Sequence, residues 1–300
     1  SKSNIGLDIK NVFLIKKAYQ KCLKIMREFK PDLVLGIGGY VTYPVIKAAS
    51  KLGIKTFIHE QNSHPGKTNL ALQKKVDLIG VSFKETISNF TKAKGEVFYS
   101  GNPCGESALK KQPMSKSSVG LDEHRKLIVV VAGSLGSSTV NEKMADFLNK
   151  VKDKDYQVLY ITGKSLYEKF ISEHQFPSNV KVLPYLDDLP ALLKNADLII
   201  TRAGASTMSE IISLTLPAIF IPSPYVANNH QYYNALELKN NHAGELIEEK
   251  DLTSEILIKK INDILLDPIK YQEIKNNLSK MSMNNSSEVI YNKLKDLIKW

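Results

Sequence analysis

Short runs of β-branched and leucine residues alternate with longer amphipathic stretches along nearly the whole chain, and few folds tolerate that alternation. Runs of strand length separated by helices of ten or more residues are the pattern of βα units feeding a parallel sheet, so the class is α/β. The first half reads as a helix over Asn11 to Phe29, a strand Asp32 to Leu35, a helix Pro44 to Leu52, and strands Lys55 to Ile58, Leu78 to Ser82 and Val97 to Tyr99. From Gly101 to Lys126 the residues turn polar and irregular, the composition of a linker. The pattern then restarts: strand Leu127 to Val131, helix Val140 to Val151, strands Gln157 to Ile161, Val180 to Leu183, Leu198 to Thr201 and Ala218 to Ile221, and a helix Leu252 to Leu266. The tail Ser286 to Trp300 is one more amphipathic helix with Val289, Ile290, Leu294, Leu297 and Ile298 on one side. At 300 residues and 43% hydrophobic, the chain holds enough apolar material for two cores.

The formal net charge of +10 favours anionic partners, among them nucleotide diphosphates and anionic lipid head groups. Lysines are scattered over helices and form no tract interleaved with aromatics, so no nucleic-acid partner is expected. Cys22 and Cys104 lie far apart with no Cys/His cluster, which predicts neither a zinc site nor a disulfide framework and makes a reducing cytoplasm the default. No apolar run reaches the roughly 20 residues that cross a bilayer. With no signal-peptide pattern either, a soluble or peripheral protein is expected.

Chemistry concentrates at strand-to-helix junctions. Ala132-Gly133-Ser134-Leu135-Gly136-Ser137-Ser138 follows a strand and precedes a helix, where backbone N–H groups can approach a phosphate or simply form a tight turn. Arg202-Ala203-Gly204-Ala205-Ser206-Thr207 is a second such junction. Glu210 falls in the first turns of the following helix, placed to accept hydrogen bonds from two sugar hydroxyls; Ser206 and Glu210 equally suit helix capping. The polar segment Pro222 to Gln231 follows the next strand, and its amides and imidazole suit sugar hydroxyls. In the first half His59-Glu60-Gln61-Asn62 ends a strand, followed by Pro65-Gly66 and Asn69. His59 and Glu60 are candidates for general acid–base work or for bridging loops. Gly36-Ile37-Gly38-Gly39-Tyr40 is a further glycine loop. The remaining histidines have no metal-ligand spacing.

In order along the chain, GIGGYVTYP, IHEQNSHPGKTN, GNP, AGSLGSSTVN, PYLDDLP, ADLIITRAGASTMSE and IPSPYVANNHQYYNA resemble the MurG family of bacterial N-acetylglucosamine transferases. The resemblance spans essentially the whole chain. It implies a GT-B fold of two Rossmann-like domains with mainly parallel sheets: residues 1–104 on the acceptor and membrane side, joined again by a helix over 284–300, and residues 105–283 binding the UDP-sugar. It implies transfer, with inversion and without metal or cofactor, from UDP-N-acetylglucosamine to the C4 hydroxyl of undecaprenyl-pyrophosphoryl-N-acetylmuramyl-pentapeptide, lipid I to lipid II, in peptidoglycan synthesis. The place of work implied is the inner face of the cell membrane, held peripherally on anionic lipids. By the same resemblance Ser134 contacts the donor diphosphate, the backbone of Leu186 reads the uracil edge and Glu210 holds the ribose hydroxyls. Arg202, Ala205, Ser206 and Thr207 line that pocket, Asn141 supports it, and His230 and Gln231 meet the sugar. Tyr40, His59, Glu60, Asn62 and Asn69 line the acceptor side, with His59, Glu60 and Asn62 the catalytic candidates.

The chain departs from the family's pattern at three places. The family opens on a strand and a GGTGGH-type loop whose histidine is its favoured base, and this sequence starts after that point, so the first sheet is expected to lack its leading strand. Gly105 stands where the family usually has an arginine on the nucleotide side, which predicts altered donor affinity. Asn228 stands where Asp is common. Two other readings remain open: a UDP-sugar-binding chain without turnover, and a related glycolipid glycosyltransferase or 2-epimerase, the last of which calls for acidic catalytic residues not recognised in this sequence.

Overall fold

The computed structural model describes residues 5–131 and 138–299, with backbone alone for residues 5–12, 138 and 139. By internal contacts the chain divides into two compact units, Ser1–Asn102 with Asn285–Trp300, and Pro103–Asn284.

The first unit carries a parallel sheet in the order β1 (Leu33–Gly36), β2 (Lys55–Glu60), β3 (Leu78–Val81), β4 (Glu96–Tyr99). Helix α1 (Ile5–Phe29) presents Tyr19, Cys22, Leu23 and Met26 at helical spacing, and this stripe packs on Ala48 and Ala49 of α2 (Thr42–Lys51). On one face of the sheet Ile46, Ile58, Leu72, Val76, Ile79 and Val81 form a core that includes α3 (Lys67–Leu72). On the other face Phe57, Leu78 and Phe98 are covered by the chain's final helix, residues 286–298, through Val289, Ile290, Leu294 and Leu297. Each fully buried aliphatic side chain contributes about 1.5–3 kcal/mol. Because both faces are covered, β2 is buried from Thr56 onward, and its last two residues, His59 and Glu60, are polar groups inside a dry sheet.

The second unit opens with α4 (Pro103–Lys110), inside the segment the sequence presents as irregular linker. Proline suits the first turn of a helix, where its missing N–H costs nothing. The glycine that disguises this helix in the sequence is there for packing. Gly105 is buried against α8 (Ala205–Leu214), and a Cβ at this position lies 2.2 Å from Ser213 Oγ and 2.6 Å from the Ser209 carbonyl oxygen. A side chain there forces α8 or α4 to shift, so the position packs against α8.

The unit's six-stranded parallel sheet has the order β10 (Glu245–Leu246), β9 (Ala218–Phe220), β8 (Leu198–Thr201), β5 (Lys126–Val131), β6 (Tyr156–Ile161), β7 (Val180–Leu183). From β5 the chain proceeds through α5 (Ser138–Lys150) to β6 at one side of the sheet. From β8 it proceeds through α8 to β9 at the other. Strands β5 and β8 read as near-continuous apolar runs, and β6 does so apart from Gln157, because helices cover both faces. Between β6 and β8 lie α6 (Tyr167–Glu173) and α7 (Leu189–Leu193). Then follow α9 (His230–Asn240), α10 (Ser254–Leu265) and α11 (Pro268–Met281). The last two start on side-chain caps: Thr253 accepts from Ile256 N, and Asp267 from the amides of Ile269 and Lys270. Helix α12 (Ser286–Ile298) is the one already placed on the first sheet. Among the described residues no helix is long and apolar enough to cross a membrane.

Replacing Gly105 by alanine adds a methyl group to a contact already closed. Overpacking at about 1–3 kcal/mol outweighs the gain of roughly 1 kcal/mol in helix propensity. The expected outcome is a lower urea midpoint for Gly105→Ala, and a larger drop for Gly105→Leu.

Candidate functional site

In the first unit the strand-end loop is built around one carboxylate. Glu60, 2% exposed, accepts from four N–H donors: Asn62 N at 3.0 Å, Asn62 Nδ2 at 3.1 Å, Gly66 N at 2.9 Å and Asn69 Nδ2 at 2.8 Å. A buried carboxylate without such partners is expensive. With them it becomes the post around which residues 61–69 are wound. Asn69, also buried, donates in addition to the His59 carbonyl at 3.2 Å, and its Oδ1 is left without a partner. This occupancy corresponds to the loop-bridging alternative for Glu60, whose lone pairs have no room for a substrate proton.

His59 is likewise enclosed. Its Nε2 lies 3.0 Å from both Ser100 Oγ and the Gly101 carbonyl, and Gln61 Nε2 lies 3.2 Å from its Nδ1. The amide of Gln61 can only donate, which assigns the proton to Nε2 and its hydrogen bond to Gly101 O. Burial holds the imidazole below its ordinary value of 6.5, against the opposing effects of the Gly101 carbonyl and the Glu60 charge. A neutral imidazole with both nitrogens engaged ties the end of β2 to the segment after β4. Gln61, which the sequence reading passed over as a site residue, also reaches the Ile37 carbonyl at 3.3 Å, and so joins this loop to the glycine loop after β1. There Gly38 and Gly39 adopt φ of +82° and +77°, Thr42 Oγ1 donates to the Gly38 carbonyl, and Tyr40 projects 88% exposed. Tyr40 and Asn62 are therefore the more accessible members of the predicted set, and Glu60 and Asn69 the buried ones.

In the second unit a cavity of about 410 Å³ opens where β5, β6 and β8 end, at Val131, Ile161 and Thr201. It brings together five of the residues marked in the sequence: Leu186, Arg202, Thr207, Glu210 and Gln231. Helix α8 points its N-terminus here; Gly204 is its N-cap and no side chain caps it. The amides of Ala205, Ser206 and Thr207 make no hydrogen bond among the described residues. An uncapped first turn next to a cavity is an anion site in geometry and in charge. Asn234 Nδ2 holds the preceding turn by donating to the Ala203 carbonyl at 3.1 Å.

One turn into α8, Glu210 is half-buried, and its carboxylate has no hydrogen-bond or ion-pair partner among the described residues. Burial pushes its carboxyl up. Opposite, Leu186 offers a backbone N–H and C=O free of hydrogen bonds among the described residues. Arg202 lines the cavity, but its guanidinium is committed: Nη2 is 2.6 Å from Glu249 Oε2 and Nη1 donates to the Ile221 carbonyl at 3.0 Å. Gln231 accepts from Ser223 N at 2.9 Å through Oε1, which leaves its NH2 group free for a ligand.

Four predicted residues stand elsewhere. Ser206, at the α8 N-terminus, is exposed, and neither it nor Ala205 lines the cavity. His230 begins α9 with Nδ1 2.9 Å from the Ala227 carbonyl, outside the cavity wall. Asn141 is buried in α5, where its Oδ1 accepts from the Tyr160 hydroxyl, a bond that fixes α5 to β6 beneath the cavity. Ser134 lies outside the described residues. Sequence reasoning missed Gly163 and Tyr185, both on the cavity wall. Gly163 has φ of +90°, and Tyr185 carries Lys164 Nζ 4.4 Å from its ring centroid, a contact of about 0.5–1 kcal/mol when exposed. The repeat of a strand-end glycine in Ile161-Thr162-Gly163 was the available signal.

A doubly wound sheet with its cavity between divergent strands, preceded by a second parallel α/β unit, defines the GT-B class of sugar-nucleotide enzyme. The chain belongs to glycosyltransferase family 28, whose N-terminal domain matches residues 2–81 and whose C-terminal domain matches residues 127–290. It is 38% identical over 303 aligned residues to UDP-N-acetylglucosamine--N-acetylmuramyl-(pentapeptide) pyrophosphoryl-undecaprenol N-acetylglucosamine transferase 1 of Bacillus cereus, covering 99% of this chain and 83% of that one. It is 39% identical to the transferase of the same name from Bacillus licheniformis, covering 97% and 80%. The crystal structure of Acinetobacter baumannii MurG superposes with a TM-score of 0.77 at 27% identity, covering 95% and 79%. The chain is a UDP-N-acetylglucosamine-dependent hexosyltransferase of this family.

The depressed imidazole of His59 has a signed consequence for stability. A group whose folded value lies below its unfolded value stabilises the fold above the unfolded value and loses that contribution as pH falls through the folded one. Stability is therefore expected to fall as pH drops from 6.5 towards the lower folded value. In His59→Gln, urea unfolding at stepped pH should lack this component; equal slopes in both proteins would remove it.

Proposed function

We propose that this chain transfers N-acetylglucosamine from UDP-N-acetylglucosamine to the C4 hydroxyl of undecaprenyl-pyrophosphoryl-N-acetylmuramyl-pentapeptide, making lipid II from lipid I. The observation that carries the reading is the partnerless Glu210 carboxylate in a 410 Å³ cavity, flanked by the uncapped start of α8 and the open backbone of Leu186. These three features match, in order, a ribose diol, a diphosphate and a base edge. Gln231, through its free NH2, and His230, after a turn of its side chain, meet the sugar hydroxyls.

In this reading the C4 oxygen attacks the anomeric carbon, and the bond from that carbon to the β-phosphate oxygen breaks. The electron pair leaves with UDP, and the hydroxyl proton passes to a general base. One displacement inverts the anomeric centre. Negative charge growing on the diphosphate is met by the α8 amides, fixed before the reaction starts. In the first unit Tyr40 and Asn62 face the acceptor, while His59, Glu60 and Asn69 hold Asn62 and its loop in place. The activity belongs on the cytoplasmic face of the membrane. Phe13, Leu14 and Ile15 of α1 are exposed in the turn beside exposed Lys16, Lys17 and Lys21, an apolar and basic stretch of helix that suits a peripheral contact with anionic lipid.

Titration calorimetry with UDP-N-acetylglucosamine, UDP-glucose and UDP-galactose tests the donor half. Preferential binding of the first is expected, with Glu210→Ala weakening it about 10- to 100-fold, the worth of hydrogen bonds to a charged acceptor. Indifference to the sugar, or an unaffected variant, refutes the donor assignment. Flotation with vesicles of phosphatidylglycerol tests the membrane contact: binding that falls in Phe13→Ser and at high salt is expected, and binding that survives both would place the contact elsewhere.

A further inference from the structure

A UDP-sugar brings two phosphate groups into the cavity of the second unit, and the described side chains of its wall return little positive charge. Arg202 is engaged by Glu249 and the Ile221 carbonyl, while Asp187 and Glu210 add carboxylates. The open end of α8 is equivalent to roughly half an elementary charge. A further cation would add to it, and Lys164 adjoins two residues of the cavity wall, Gly163 in sequence and Tyr185 in space. It follows Gly163, whose left-handed φ of +90° turns the chain at the end of β6, and it is exposed with no carboxylate partner among the described residues. Its Nζ rests 4.4 Å from the ring centroid of Tyr185, the cavity residue next to Leu186.

Building on the UDP-sugar reading, we propose that Lys164 is the cation that binds the donor's diphosphate, resting on the Tyr185 ring while the site is empty and moving to the phosphate oxygens when the donor enters. An ammonium over an exposed ring is held weakly, and a charge-assisted hydrogen bond to phosphate is stronger, so the exchange runs downhill. A flexible four-carbon stem with three donors suits such a swing. The same movement uncovers a face of Tyr185 beside the backbone of Leu186, where a pyrimidine ring can stack. One lysine thereby couples occupation of the phosphate end to opening of the base end. As the bond from sugar to β-phosphate breaks, the same ammonium meets the charge left on UDP.

The test compares Lys164→Gln and Lys164→Arg with the unaltered chain by calorimetry against uridine, UDP and UDP-N-acetylglucosamine, at low and high salt. Lys164→Gln should lose about 10-fold or more in affinity for both diphosphates, the factor set by one charge-assisted hydrogen bond. It should keep or gain affinity for uridine, since the Tyr185 face is then uncovered, and show a weaker salt dependence, and Lys164→Arg should recover most of the loss for the diphosphates. Equal losses for uridine and UDP would make the lysine a prop for the base platform and overturn the proposal, as would unchanged UDP binding. If the unaltered chain binds neither uridine nor UDP, the UDP-sugar reading itself fails, an outcome distinct from either.

Discussion

Strands β5 and β8 lie side by side, and the chain leaves them toward opposite edges of the sheet. The crossover helices therefore part above the carboxyl ends of these strands, and the cavity opens between them among the described residues. Everything proposed for the second unit depends on that cavity. It exposes the first turn of α8, whose amides have no partner within their own helix, and it lets Glu210 sit half-buried without an ion pair. The Gly105 contact serves the same end from below. By letting α4 approach the backbone of α8 at Ser209, one residue before Glu210, it fixes the helix that carries the site to the segment where the unit begins.

Much of this was legible because parallel strands covered on both faces have few ways to be written. The apolar runs of β5, β6 and β8, each preceded by a charged residue, mark their own limits to within a residue or so, and the junction Ala203-Gly204-Ala205 announces a helix start. The stripe from Val289 to Leu297 was readable for the same reason: it must cover something. Helix α4 was hidden because proline and glycine argue for a loop locally, and only the distant Ser209 and Ser213 explain the glycine. Helix α11 was missed because its signal is a cap, Asp267 before Pro268, and its apolar face is thin.

For the site residues, the sequence shows chemical type but not accessibility. Glu60 closes a strand and Glu210 stands one turn into the helix after a strand, and neither position alone says whether the carboxylate is satisfied. The difference lies in the neighbours that each finds after folding. Asn62, Gly66 and Asn69 return to Glu60 through a short loop, so its lone pairs are taken from within. Glu210 sits in a helix whose i−4 and i+4 neighbours, Ser206 and Leu214, offer no cation. Leu186 was marked through resemblance alone, since a backbone role leaves no side-chain signature.

The two units thus solve the same physical problem in opposite ways. A strand end buried on both faces exposes polar groups to a region where water is scarce, and these groups need partners. The first unit supplies them itself: His59 bonds to Gly101, Glu60 gathers four N–H groups, and the result is a rigid loop that presents its outer residues at fixed positions. The second unit leaves them open at α8 and Glu210 among the described residues, and the proposed donor, with anions at one end and hydroxyls at the other, is complementary to that opening. A self-satisfied loop suits a surface that positions a large acceptor without closing around it. An unsatisfied strand end suits a small, charged, hydroxyl-rich donor, whose binding completes hydrogen bonds that the fold leaves unmade.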